Sequence, residues 1–228
     1  MRPLKVSVTL CNGLAGEVPM LDALLEWCMS RHVGQDFGLA HALDERRASY
    51  EPGLIPIPVA RRRVEGFAWP IPLCSSPIFR ARRDGVEHFA RRFDPDPALI
   101  AGAERKVYAS NSGEFKSYRL PLRVRLVEKI AWFAVGDRKE VRRLLRDVYS
   151  LGKKSSQGHG RIASWEVEHW EGREDWCWLA PSESGPVLMR SLPLTVVPDG
   201  VLGARRFFGG LVSPYWASEF FSEGVIPC

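Results

Sequence analysis

Of 228 residues, 45% are hydrophobic and 26% charged, the composition of an ordinary globular protein with one large or two small domains. A net charge of +5 and a pI near 9.1 favour a polyanionic partner. No apolar run approaches the roughly 20 residues of a membrane span, and the N-terminal MRPLKVSVTLCNG alternates instead of forming the apolar block of a signal peptide, so a cytoplasmic protein with no membrane partner is expected.

Leu4, Val6, Val8 and Leu10 alternate with Lys5, Ser7 and Thr9, the pattern of a half-buried strand. After a loop with Gly13, Gly16 and Pro19, the residues Leu21, Leu24, Leu25, Cys28 and Met29 line one face of a helix expected to end near Gly34. From there to about residue 120, prolines recur and short apolar pieces alternate with arginines. We expect irregular structure with one or two short hairpins. Order returns with Leu122, Val124 and Leu126, followed after Glu128 and Lys129 by a second apolar piece, IAWFAV, the two reading as a strand or a strand pair. Asp137 with Glu140 makes a capping-box-like helix start. Val141, Leu144, Leu145, Val148 and Tyr149 continue at helical spacing, and Gly152 stands where a C-terminal glycine cap belongs. Ala163, Trp165 and Val167 then alternate with Ser164, Glu166 and Glu168 as a last strand.

This order predicts an α+β, ferredoxin-like β-α-β-β-α-β core, the fold of RNA-recognition modules. Residues 1–170 would form it, with an insert at about 50–118. Residues 171–228 would be a β-rich extension packed on it. The five cysteines, Cys11, Cys28, Cys74, Cys177 and Cys228, are widely spaced and include no CxxC, so we read reduced thiols, three or four in the core, and no zinc site. No cofactor is expected.

Basic residues cluster without matching acidic runs: Arg61, Arg62 and Arg63; Arg80, Arg82 and Arg83; Arg91 and Arg92; Arg142 and Arg143; Arg205 and Arg206. The densest stretch is GKKSSQGHGR, comprising Gly152, Lys153, Lys154, Ser155, Ser156, Gln157, Gly158, His159, Gly160 and Arg161. It is not a Walker loop: Asp147 stands where that motif has its first glycine, and the loop follows a helix where the motif precedes one. It is not a dinucleotide fingerprint, for the same reason of order. Glycines let backbone amides approach a phosphate closely, and consecutive amides form an anion-binding concavity. Lys153, Lys154 and Arg161 add charge; Ser155, Ser156 and Gln157 add neutral donors. Such a set grips a sugar-phosphate backbone without reading bases.

A GxxxxxGxG loop between the second helix and last strand of such a fold resembles the RAMP superfamily of CRISPR-associated RNA-binding proteins. MRPLKVSVTL followed by PMLDALLEW, and the GD-x-x-x-V-x-x-L-L pattern before GKKSSQGHGRIASWEVE, are similar to the same group. Within it the chain looks most like the type IV subunit that caps the 5′ handle of the guide RNA, the equivalent of the fifth Cas family. The resemblance covers about residues 1–33 and 118–170. It implies a non-catalytic subunit of a CRISPR antiviral ribonucleoprotein that clamps guide RNA (crRNA) through the glycine-rich loop; from their clustered charge, Arg142, Arg143, Arg61, Arg62, Arg63, Arg82 and Arg83 join it as RNA-binding candidates. It also implies backbone subunits and a large subunit as neighbours, with target DNA and an accessory helicase as further partners. In the family the insert carries a thumb-like hairpin that separates handle from spacer, here about residues 58–118.

The alternative is a metal-independent repeat endoribonuclease of the same superfamily, which wants a base, an acid and a cation near the scissile phosphate. His32, His41, His88, His159 and His169 are the histidines, and Tyr108, Lys106 and Asn111 the best other constellation. No pattern places any of them at such a phosphate, and no catalytic residue is assigned. A basic protein outside CRISPR is the third class, but no helix-turn-helix, zinc finger or basic zipper stands out. Trp69, Phe79 and Trp170 are candidates to stack on bases or dock a partner.

Overall fold

In this computed structural model, which describes residues 1–37, 55–91 and 118–227, the alternating N-terminal segment forms β1 (Arg2–Leu10). Leu4, Val6 and Val8 are fully buried. A bend at Cys11–Gly13 leads to the short β2 (Leu14–Ala15), then to α1 (Leu21–Phe37), which extends beyond the expected end at Gly34. Two short strands, β3 (Arg61–Arg62) and β4 (Ile71–Pro72), pair with each other. Next come the long β5 (Ile78–Arg91) and β6 (Tyr118–Gly136), then α2 (Arg138–Leu145) and β7 (Ile162–His169). The remaining strands are β8 (Leu179–Ala180), β9 (Val187–Leu188), β10 (Leu192–Pro193), β11 (Ala204–Gly210) and β12 (Phe221–Pro227).

The main sheet is antiparallel throughout, with helices on one face. β6 pairs β1, β1 pairs β7, and β5 and β2 both pair β6. One face of this sheet, through Val6, Val8, Ile130, Trp132 and Val167, packs on α1 and α2 through Leu21, Leu25, Val141, Leu144 and Leu145. Trp132 is fully buried and donates its indole N–H to the Pro19 carbonyl at 3.3 Å. No described helix is long and apolar enough to cross a membrane.

Two local expectations change, and one alternative is decided. Of strand or strand pair, the two apolar pieces before α2 are one continuous 19-residue strand, β6. Glu128 and Lys129 do not break it because both point into solvent, Glu128 pairing with Arg82 and Lys129 with Glu166. The supposedly irregular insert holds the 14-residue β5, which forms a long hairpin with β6. The second helix ends at Leu145, so Val148 is buried from a turn and Tyr149 stands 74% exposed. Gly152 is therefore not a helix cap.

The hairpin is the feature that shapes the surface. β1 pairs β6 only from Lys129 to Gly136, whereas β5 pairs it from Tyr118 to Ala131. Most of β5 and the first half of β6 thus reach beyond the sheet body as an arm. Arg82, Arg83, Val86, His88 and Leu120 on it are exposed. The connection between the two strands, with Tyr108, Lys106 and Asn111, lies outside the described residues, as does His41; of His32 only the helical backbone is described.

A second apolar cluster joins the C-terminal residues to the chain. Cys177, Trp178, Leu188, Leu192, Val212 and Val225 pack on Ile71 and Leu73, and on Val135 of β6. Trp170 sits between Phe133 and Trp176, at centroid distances of 4.5 and 5.8 Å. β10, β12 and β11 form a three-stranded antiparallel sheet there.

Candidate nucleic-acid interface

The glycine-rich loop is docked rather than loose. The Lys153 amide donates to the Ala15 carbonyl at 2.7 Å and the Gly160 amide to the Gly13 carbonyl at 2.8 Å. Asn12 bridges the gap: its Oδ1 accepts from the Arg161 amide at 2.9 Å and its Nδ2 donates to the Gly158 carbonyl. The bend between β1 and β2 therefore templates the loop, and a turn at Ser155–Gln157 forms its tip. Lys154 is left-handed at φ 62°, an unusual state for a residue with a side chain. It is followed by the right-handed turn, and such a pair points successive amides one way. Among the described residues, no partner is found for the amides of Lys154, Ser155 and Ser156, whereas those from Gln157 to Arg161 are all bonded within the protein. The amides without a described partner are thus those of the loop's first half. Lys153, Ser155, Ser156, Gln157 and Arg161 are exposed around it, and Lys154 and His159 are half-buried.

The three glycines do different work. A Cβ on Gly160 would lie 2.0 Å from the Leu151 carbonyl oxygen, and one on Gly152 would lie 2.4 Å from that of Ala15. A Cβ on Gly158 would meet only Asn12, at 3.9 Å. Gly160→Ala should therefore cost at least about 2 kcal/mol of stability, from backbone collision plus a strained φ. Gly158→Ala should cost only about 1 kcal/mol, from φ alone. Urea unfolding of the two variants side by side measures the difference.

The loop also touches the arm. The Lys154 ammonium lies 5.0 Å from the Phe89 ring centroid, and the His159 ring meets the same ring edge-on at 5.7 Å. His159 Nε2 is 3.6 Å from a Glu87 carboxylate oxygen. Between the arm and the β1–β2 bend runs a cleft of about 390 Å³, bordered by Gly13, Arg83, Gly85, Val86, Glu87, Val124 and Leu126. The loop does not line this cleft but meets the arm beside it, at Glu87 and Phe89.

The arginine clusters divide by what they touch. Arg61 is half-buried and bonds the Glu26 carboxylate at 2.7 Å and the Ile55 carbonyl at 3.1 Å. Arg62 lies over the Trp178 ring at 5.4 Å and pairs with Asp175 at 3.2 Å. Both guanidinium groups are engaged within the protein, away from the glycine-rich loop. Arg63 is exposed but belongs to that same short hairpin, not to the loop. Arg82 pairs with Glu128 across the arm, while Arg83 is exposed and borders the cleft. On α2, Arg143 pairs with Glu140 at 2.9 Å and Arg142 is exposed. The helix starts as expected: Asp137 Oδ1 accepts from the Lys139 and Glu140 amides at 2.8 and 3.1 Å.

His88 and His169 are exposed at separate places, the arm and the end of β7. Trp69 packs edge-on against Phe220, Phe79 lies under Arg125, and Trp170 is in its aromatic stack. None of the three is a free stacking platform. Among the described residues the strongly exposed aromatics are instead Tyr149, Phe208 and Trp216, with Trp27 less so.

Sequence reasoning missed a buried ionic cluster. Arg190 and Asp22 are both fully buried and meet at 3.1 Å. The Tyr215 hydroxyl donates to Asp22 Oδ2 at 2.7 Å and accepts from Arg190 at 2.6 Å, and Arg190 also donates to the Cys74 carbonyl at 3.3 Å. Asp22 opens α1 and the other two come from the C-terminal part, so the cluster bolts the two apolar clusters together. Burial alone would raise the Asp22 carboxyl, but the Arg190 charge and the bonds from Arg190 and Tyr215 hold it below the ordinary range. Burial pushes the Cys28 thiol up to about 11, that of Cys177 to about 12, and that of Cys74 further. These three are protonated at neutral pH and are not nucleophiles; Cys11 is exposed.

A pH dependence follows. Asp137 is held low by the Glu140 and Lys139 amides, and Glu166 by Lys129. Together with Asp22, these are carboxyls whose folded values are depressed. Their stabilisation is present above the unfolded range and lost as pH falls through the folded values. The urea midpoint should be level from pH 7 to about 5 and fall below about pH 4.

Comparison with protein families adds one match: the family described as CRISPR type IV associated protein Csf3 aligns with residues 75–227. That span takes in the arm, α2, the glycine-rich loop and the C-terminal sheet. No curated protein matches the chain.

Proposed function

From the premise that the chain belongs to the Csf3 family of CRISPR type IV associated proteins, we propose that it is the non-catalytic subunit that clamps the 5′ handle of the guide RNA. The observation that carries this reading is the glycine-rich loop, held by Asn12, Gly13 and Ala15, in which three successive amides have no described partner and Lys153 and Arg161 are exposed. Phosphates of a single strand bind such a surface through charge and amide donors, without base readout. The strand order β5-β6-β1-β7, with a helix after β1 and another before β7, supports a ferredoxin-like RAMP core. The arm supports the thumb reading, displaced from residues 58–118 to the β5–β6 hairpin. In this reading RNA lies along loop and cleft, with Arg83 and Arg142 as flanking contacts. Backbone subunits, a large subunit and, within the assembly, target DNA are the proposed neighbours.

Two measurements on natively purified protein test the reading. Bound nucleic acid, extracted and sequenced, should be RNA of discrete length carrying repeat sequence. Labelled repeat RNA incubated with the protein in EDTA or in magnesium should remain intact. A single cut leaving a 2′,3′-cyclic phosphate, abolished by His159→Ala, would instead make the chain the processing nuclease.

A further inference from the structure

β11 reads ARRFFGG and forms one edge of the C-terminal sheet, with β12 on its inner side. Among the described residues no strand pairs with the outer side of its first five residues; just before them Leu202 bridges Val187 of β9, and at the far end Gly209 and Gly210 are buried. An open edge is a row of unpaired N–H and C=O groups, and proteins guard such edges with prolines, bulges, charges or a covering element. Here the register with β12 runs from Ala204↔Pro227 to Gly210↔Phe221 without a shift, so no bulge turns the edge away, and β11 holds no proline. What stands on the edge is Arg205 and Arg206, both exposed and neither in an ion pair with a described residue. Beside them Phe208 is 66% exposed, with its ring fixed edge-on against Phe221 at 6.1 Å. Trp216, in the turn after β11, is 74% exposed.

We propose that the outer edge of β11 is a docking site for an extended acidic segment of a partner protein, which adds to this sheet as a fourth strand. Two adjacent arginines project to opposite faces of a strand. A partner strand with acidic residues at two consecutive positions therefore meets both, and its next apolar residue covers Phe208. The same arginines set two copies of this chain against each other, since self-pairing brings four of them together. A sugar-phosphate backbone answers their charge but not the row of alternating amides and carbonyls, which another peptide backbone does. This site is separate from the glycine-rich loop and does not rest on the RNA reading.

The probe is a blocked, fluorescein-labelled nonapeptide of valine and threonine with two adjacent glutamates at its centre, titrated with the purified full chain by fluorescence anisotropy. It should bind at least about tenfold tighter than the same peptide with lysines in place of the glutamates, because two charge pairs become two repulsions. A version N-methylated at alternate amides should also lose at least about tenfold, because it cannot form the ladder. Arg205→Glu with Arg206→Glu should invert the preference between acidic and basic peptides. The N-methyl comparison uses wild-type protein and stands even if that variant folds poorly. Three results would overturn the proposal. The first is equal binding of the N-methylated and plain acidic peptides. The second is no preference for the acidic peptide. The third is a dodecauridine RNA that competes with the peptide and loses affinity in the double variant, which would make the edge a nucleic-acid contact.

Discussion

Replacing Arg190 by Met should cost about 3–5 kcal/mol, because it leaves the Asp22 carboxylate buried without its counter-charge. Asp22 is fully buried in the first turn of α1, and Arg190 supplies its only ion pair among the described residues. Tyr215 still donates one hydrogen bond after the change, but a single neutral donor does not offset a buried charge. The loss should appear as a shifted urea midpoint. Asp22→Asn combined with Arg190→Met should recover part of it, since that pair removes both charges and keeps a polar group for Tyr215. Equal instability of the single and double variants would mean that the cluster acts through shape rather than charge.

The second large effect is on RNA. Lys153→Ala, Lys154→Ala and Arg161→Ala together should weaken handle binding by about 2–4 kcal/mol, or roughly 30- to 1,000-fold, taking three charge-assisted contacts. Stability should change little. Lys153 and Arg161 are exposed, and the loop is held by backbone bonds and Asn12 rather than by these side chains. Lys154 gives up its contact with Phe89, so its substitution also loosens the loop from the arm.

How much of this could be read beforehand depends on what each segment buries. β1 was legible because its alternate residues Leu4, Val6 and Val8 all enter one core. The start of α2 was legible from Asp137, and its end was not. Val148 keeps the apolar spacing after the helix has stopped, so periodicity cannot see the break. β5 was illegible for a different reason. Beyond Ala81 the arm has no core to face, so Arg82, Asp84, Val86 and His88 show no burial alternation, and the register shifts near Ala81 scramble what remains. The loop's basic character was plain, but only the folded backbone, Ala15 against Gly152 and Leu151 against Gly160, tells these two glycines from Gly158. Arg61 and Arg62 looked like surface charge because their partners, Glu26 and Trp178, are distant in sequence. The Asp22–Arg190 pair spans 168 positions and leaves no local signal at all.

The salt dependence of handle-RNA binding tests the central claim most directly. Each phosphate neutralised on a single strand contributes about −0.7 to the slope of log K against log salt. The wild-type chain should show a steep slope, and the variant lacking Lys153, Lys154 and Arg161 a slope shallower by about 2. Identical slopes for the two proteins would contradict the account, because the loop would then touch no phosphate.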